Sequence, residues 1–186
     1  MTREPENVRF NILRNALYHT ARRRSLEQTN RVFNLLVVLL GAAAFSDLIT
    51  RIGMTSVWVG AGVALIGALQ LVFDFGRQAR DHQVLQRDYY NLLAETEVVH
   101  EPTPQDASEW HARMIKITGD EPPVLRAIDA KAYNDAVGAM EIDPEQRLHI
   151  PRIDRFLGGF LAFEGRQYSK LVELKRSKRL KERRDR

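Results

Sequence analysis

Three polar side chains set in apolar surroundings are the groups best placed to do chemistry: Asn34, Gln70 and Asp74. Asn34 is the one polar residue in VFNLLVVLLGAAAF, residues 32–45, and Gln70 is the one polar residue in VWVGAGVALIGALQLVF, residues 57–73. Asp74 follows Gln70 at a spacing of four, which puts both on one face of a helix. Polar groups among apolar helices generally face a bundle interior or a wet cavity, so all three are expected at the inner mouth of an oligomeric pore. A plainer reading stands beside it: an Asn34 to Gln70 hydrogen bond between two helices, with Asp74 at a water interface balanced by Arg77.

Other chemistries find little footing. The chain has no cysteine, which excludes disulfides, thiolate metal sites and a cysteine nucleophile. Glu109, Trp110 and His111 lie together, but HExxH is absent and no second histidine sits at ligand spacing, so no metal is expected. Paired carboxylates, a nucleophile elbow and a glycine-rich phosphate loop are also missing; no enzyme and no cofactor is expected. Asp81 and His82 are adjacent, hence on different faces, and His82 reads as a surface residue.

The elements that must position the polar trio are two apolar runs with a polar joint between them, together residues 32–75. A spanning helix needs about 20 apolar residues, or about 17 at least. The second run, taken as 56–75, meets that limit; the first reaches it only if Leu48, Ile49 and Ile52 extend it to 52. Backbone in lipid must satisfy itself, so both runs must be helices, and a joint this short makes them antiparallel neighbours. Arg22, Arg23, Arg24 and Arg31 precede the first run, and Arg77 and Arg80 follow the second, whereas the joint has only Arg51 beside Asp47. The positive-inside rule then puts both termini in the cytoplasm, with those arginines at anionic headgroups of a bacterial inner membrane. A buried hairpin of a helical bundle is the alternative, favoured by the shortness of the first run. Gly41 on the first helix and Gly60, Ala64 and Ala68 on the second supply small side chains for close helix packing, within one subunit or between subunits.

Around the hairpin the whole chain reads as helical. Residues 1–31 carry Phe10, Leu13 and Leu17 at helical spacing; residues 76–101 continue the second run without a break, with Leu85, Tyr89 and Leu92 as their stripe. These two helices are expected to pair as a cytoplasmic stem. Residues 102–165 form a helical module. Within it, Thr103 followed by Asp106 caps a helix ending near Gly119. Pro122 and Pro123 open another, with Val124, Leu125, Ile128, Ala132 and Val137 as its apolar face and Tyr133 and Asn134 turned toward the membrane-proximal helices. Further on, Ile153, Phe156 and Phe160 alternate with Arg152 and Arg155 in a segment too short to span, suited to the inner leaflet or to the stem. Residues 166–186 hold ten Lys and Arg against three acidic residues, a net +7, while the first 165 hold 18 against 21, a net −3. Basicity is a property of this tail, which lacks aromatic interleaving, so no specific nucleic acid is expected. The start, MTREPENVRF, lacks the features of a cleavable signal peptide. The expected fold is all-α: an integral membrane two-helix hairpin extended into a cytoplasmic helical bundle, with short C-terminal helices.

This layout resembles the SLATT family of two-span bacterial membrane proteins. The matching features are ARRRSLEQTNRVFNLLVVLLGAAAF, then VWVGAGVALIGALQLVFDFGRQARDHQVLQRDYYNLL, and then DEPPVLRAIDAKAYNDA with Glu121, Pro122, Pro123 and Asn134. The resemblance implies a membrane effector of bacterial conflict systems: a homo-oligomeric pore that acts when a nucleotide signal or a nucleotide-signalling partner protein is engaged. A phage holin-like protein and a non-conducting membrane-anchored scaffold are the alternatives.

Overall fold

The structure is a computed structural model that describes residues 4–42, 51 and 56–184. Among these residues every regular element is helical, and the only strand-like feature is a single antiparallel bridge between Leu148 and Lys170. The helices are α1 (Pro5–Gly41), α2 (Ser56–Phe73), α3 (Phe75–Glu97), α4 (Pro104–Thr118), α5 (Arg126–Ala139), α6 (Arg152–Leu157) and α7 (Leu171–Arg184), with a 3-10 turn at Pro144–Gln146. The all-α expectation therefore holds. The joint with Asp47, and the far end of the first apolar run, lie outside the described residues.

The chain divides into two compact units, one of residues 1–22 with 82–186 and the other of residues 23–81. α1 and α3 each contribute to both.

In the first unit the core forms where three helical stripes meet: Val8, Ile12 and Ala16 of α1, Tyr89 and Leu92 of α3, and Ala107, Trp110 and Met114 of α4. Their spacings of three and four put each set on one helix face, so burying them excludes water along all three at once. The expected pairing of the N-terminal helix with the helix after the second run is thus present. α4 begins as its sequence dictates. Thr103 Oγ1 accepts from the Asp106 N–H at 3.2 Å, and the Asp106 carboxylate accepts in return from the Thr103 N–H at 2.8 Å, a reciprocal cap. Gly119 closes the helix.

α5 packs with small side chains. It buries Ala127, Ala130, Ala132 and Ala136 with Ile128 and Val137, and Tyr18 of α1 seats against Ile128 and Ala132. Arg14 of α1 grips Asp129 through two parallel bonds, Nε to Oδ1 at 2.9 Å and Nη2 to Oδ2 at 2.5 Å, a geometry that fixes orientation as well as adding energy. The expectation that α5 starts at Pro122 and Pro123 needs correction: it starts at Arg126. Leu125 is held extended because its N–H donates to the Tyr18 hydroxyl at 3.0 Å, and the Arg126 N–H goes to the Ala162 carbonyl at 3.2 Å. Tertiary acceptors take the N–H groups that a longer helix would have used.

After α6 the chain turns tightly against α5. A Cβ on Gly158 would stand 2.6 Å from the Ala127 Cβ and 2.6 Å from the Asp154 carbonyl, so only glycine permits this approach. Asp154, almost fully buried, accepts from Arg166 Nη1 at 2.8 Å and the Tyr168 hydroxyl at 2.9 Å, tying the following loop to the helix. Burial, and then the bond to the Asp154 carboxylate, raise the Tyr168 pKa to about 12.

In the second unit, the outer part of α1 lies against α2 and the start of α3. Phe33 meets Phe75 with ring centroids 5.4 Å apart, and Gln70 meets Asn34. The run from α2 to α3, expected to be unbroken, is interrupted at Asp74, whose φ is +38°. Aspartate tolerates this left-handed region better than most side chains, because its short polar group bonds locally. Here it does so. The Arg77 N–H, which would reach the Phe73 carbonyl in an uninterrupted helix, donates to Asp74 Oδ1 at 3.1 Å. The freed Phe73 carbonyl accepts from Gln78 Nε2 at 2.5 Å. The break is thus chemically complete on both sides, and it falls at the end of the apolar run.

Candidate functional site

Two polar constellations stand out, one in each unit. The first is a buried chain of proton-bearing side chains at the end of the three-helix core. His19 extends the α1 stripe of Ile12 and Ala16, and His82 extends the α3 stripe of Leu85, Tyr89 and Leu92, so both imidazoles are driven inward. His19 is 0 % and His82 4 % exposed. The reading of His82 as a surface residue is therefore wrong. The signal was its spacing of three and seven from Leu85 and Tyr89.

His19 Nδ1 lies 2.7 Å from His82 Nδ1, and His19 Nε2 lies 3.1 Å from the Glu121 carboxylate. Tyr89 stacks on His19 at 5.5 Å and donates its hydroxyl proton to the same Glu121 oxygen, with the Thr118 hydroxyl 2.9 Å away. Glu121 is delivered by the turn beyond Gly119, where its N–H bonds the Thr118 carbonyl at 3.1 Å. Four segments therefore converge on one carboxylate and two imidazoles.

Burial is the chief cause that pushes the His82 pKa down to about 3, helped by His19 and by the Arg22 guanidinium. Burial and the bond to Glu121 push the Tyr89 hydroxyl well above its ordinary value. Tyr18, which packs edge-on against both imidazoles, is likewise raised by burial, against the lowering effect of its bond from Leu125. With His82 neutral, the short contact between the two Nδ1 atoms needs exactly one proton between them. His82 Nδ1 either donates to His19 Nδ1 or accepts from it, and the tautomer decides which. The bonds run without a gap from Thr118 through Tyr89, Glu121 and His19 to His82. Such satisfied networks fix how their helices pack.

The second constellation is the expected polar trio. Gln70 Nε2 donates to Asn34 Oδ1 at 2.8 Å, so the two amides meet across α1 and α2. Asp74 does not join them: its carboxylate is spent on the Arg77 N–H. On α2, Val59, Val63, Ile66 and Gln70 are half-buried along the stripe that carries this contact, while Gly60, Ala64 and Ala68 lie exposed on the other side. Nothing stands within 4 Å of a Cβ built on Gly41 or Gly60. The small residues are therefore not what brings α1 and α2 together within one chain.

The basic residues separate in the same way. Arg22 is turned inward, donating through Nη1 to the Gly159 carbonyl at 2.6 Å, and burial lowers its pKa. Arg23 pairs with Glu27 at 2.8 Å. Arg24, Arg31, Arg77 and Arg80 are exposed. Of the residues that carried the family resemblance, Glu121 serves the buried chain. Asn134 does not face the membrane-proximal helices: Nδ2 donates to the Leu148 carbonyl at 2.9 Å and Oδ1 accepts from the Leu148 N–H at 2.6 Å. Tyr133, by contrast, packs edge-on against Phe10 of α1 at 5.1 Å, beneath the Arg14 guanidinium.

Among the described residues one stretch, Val57–Glu97, is long and apolar enough in its first part to cross a membrane, by length and composition, and none of that apolar window is buried. Comparison with protein-family models, with curated proteins and with solved structures gives no significant match.

Proposed function

We propose that this chain is a SLATT-type membrane effector of bacteria: a homo-oligomer whose α2 and outer α1 cross the inner membrane with both termini in the cytoplasm, and which forms a pore in a defence or cell-suicide response. The observation that carries this reading is the surface of α2. Its 18 residues contain no charge, and Val57, Trp58, Leu65, Leu71 and Val72 are exposed, Leu71 to 83 %. Val32, Leu35 and Val38 of α1 extend the same apolar surface within that unit. Large apolar side chains exposed in such number along one helix suit a surface covered by lipid or by a further subunit.

The outward ridge of Gly60, Ala64 and Ala68 supplies the route to assembly, because small residues spaced by four let membrane helices of different subunits approach closely. Light scattering of the full chain in detergent tests this. A multiple of the 21.4 kDa chain mass is expected, with dissociation when Gly60 and Ala64 are both replaced by leucine. A monomer at all concentrations would contradict it. The scaffold reading has one observation in its favour, since Asn34 and Gln70 are bonded to each other. Leucine at both positions separates the two readings, because an anchor tolerates the change and a pore changes conductance.

A further inference from the structure

Beyond the hairpin and the buried histidines, the first unit carries a concave basic site. A cavity of about 890 Å³ opens between α5, the segment from Arg147 to Pro151, and α6. Lys131, Arg147, Arg152 and Arg155 line it, against one carboxylate, Asp135. That carboxylate is already paired with Lys131 at 2.5 Å. Among the described residues, none of the three guanidinium groups is in an ion pair.

The backbone that carries Arg147 is fixed by bonds on both sides. Asn134 takes both the N–H and the carbonyl of Leu148, as a neighbouring strand would. On the other side the Arg147 carbonyl accepts from the Leu171 N–H at 2.9 Å, and the His149 N–H donates to the Ser169 carbonyl at 3.0 Å. The segment that bears Arg147 and leads into Arg152 and Arg155 is thus clamped from two directions. Gly138 leaves the space that the Arg147 guanidinium occupies: a Cβ there would stand 3.1 Å from Nη2.

We infer that this cavity binds an organic phosphate carrying two or more negative charges, through Arg147, Arg152 and Arg155. Guanidinium groups match phosphate oxygens with paired N–H donors and keep their charge at any physiological pH. The volume lies in the usual range for small-molecule sites, and Ile150, Pro151 and Leu171 supply apolar walls for the organic part. The phosphate comes either from a soluble phosphate ester or from an anionic lipid headgroup, which share this chemistry. The site does not depend on whether the hairpin conducts.

The test uses the full chain in detergent, titrated calorimetrically with pyrophosphate and with ATP, and separately the full chain in nanodiscs with and without cardiolipin, whose headgroup carries two phosphates. Binding of a soluble phosphate, weakened at least tenfold by R147A/R152A and hardly changed by R176A/R179A on α7, is expected if the source is soluble. Retention by cardiolipin with the same pattern of variants assigns the lipid headgroup instead. All four arginines are exposed, so neither variant removes core packing. Absence of binding to every probe, or equal loss in both double variants, would overturn the assignment.

Discussion

At the level of single residues, the account turns on groups that the fold forces into an unusual state. His82 is the clearest. Its folded pKa of about 3 lies below the value of about 6.5 for a free imidazole, so between those values the unfolded chain takes up a proton that the folded chain refuses. Stability is expected to be unaffected by His82 above about pH 7 and to fall as pH drops from there toward 4, by at most about 1.4 kcal/mol per pH unit. Carboxylates titrate in the same range, so the test is a comparison: melting temperature against pH should be flatter in His82→Leu than in the native chain. Parallel curves would show that His82 does not resist protonation. Gly158 makes a second demand. Gly158→Ala is expected to cost about 1–3 kcal/mol through overpacking against Ala127, and the double variant G158A/A127G should recover part of it in a thermal melt. No recovery would mean that the Asp154 carbonyl, and not Ala127, sets the limit.

At the level of elements, what was legible in the sequence depended on whether the deciding partner was local. The Thr103 and Asp106 cap and the Gly119 stop were readable because all of their bonds fall within the same turn. The start of α5 was not, because the groups that delay it, the Tyr18 hydroxyl and the Ala162 carbonyl, lie far away in sequence. The stripe of Leu85, Tyr89 and Leu92 is legible from its periodicity, but the place of His82 on it is not, since histidine is as common outside as inside. The break at Asp74 escaped because charge pattern and periodicity continue across it, and only the backbone shows the turn. Asp74→Ala should remove the acceptor for the Arg77 N–H, a cap worth about 1 kcal/mol. Amide exchange at Arg77 is then expected to quicken roughly fivefold, while exchange in the middle of α2 stays as it was. Unchanged exchange at Arg77 would remove Asp74 from its role in completing the break.

At the level of the whole molecule, the two units ask for different surroundings. The first has an apolar core where three helices meet, a bidentate Arg14 to Asp129 pair and a buried polar chain. The second shows apolar side chains outward along α2 and the outer part of α1, with one amide pair between the helices. The exposed, uncharged surface of α2 is why the membrane reading, drawn first from run length and flanking arginines, remains the basis of the proposed function. The polar trio has been narrowed by geometry: Asp74 belongs to the backbone break, and Asn34 with Gln70 remain as the side chains whose loss separates a pore from an anchor. The most direct measurement is ion flux from liposomes containing the purified full chain, native and with Asn34 and Gln70 both replaced by leucine. Flux from the native protein, altered several-fold in the variant at equal incorporation, is the expected result. Tight liposomes at every protein density and with every phosphate ligand added would contradict a pore.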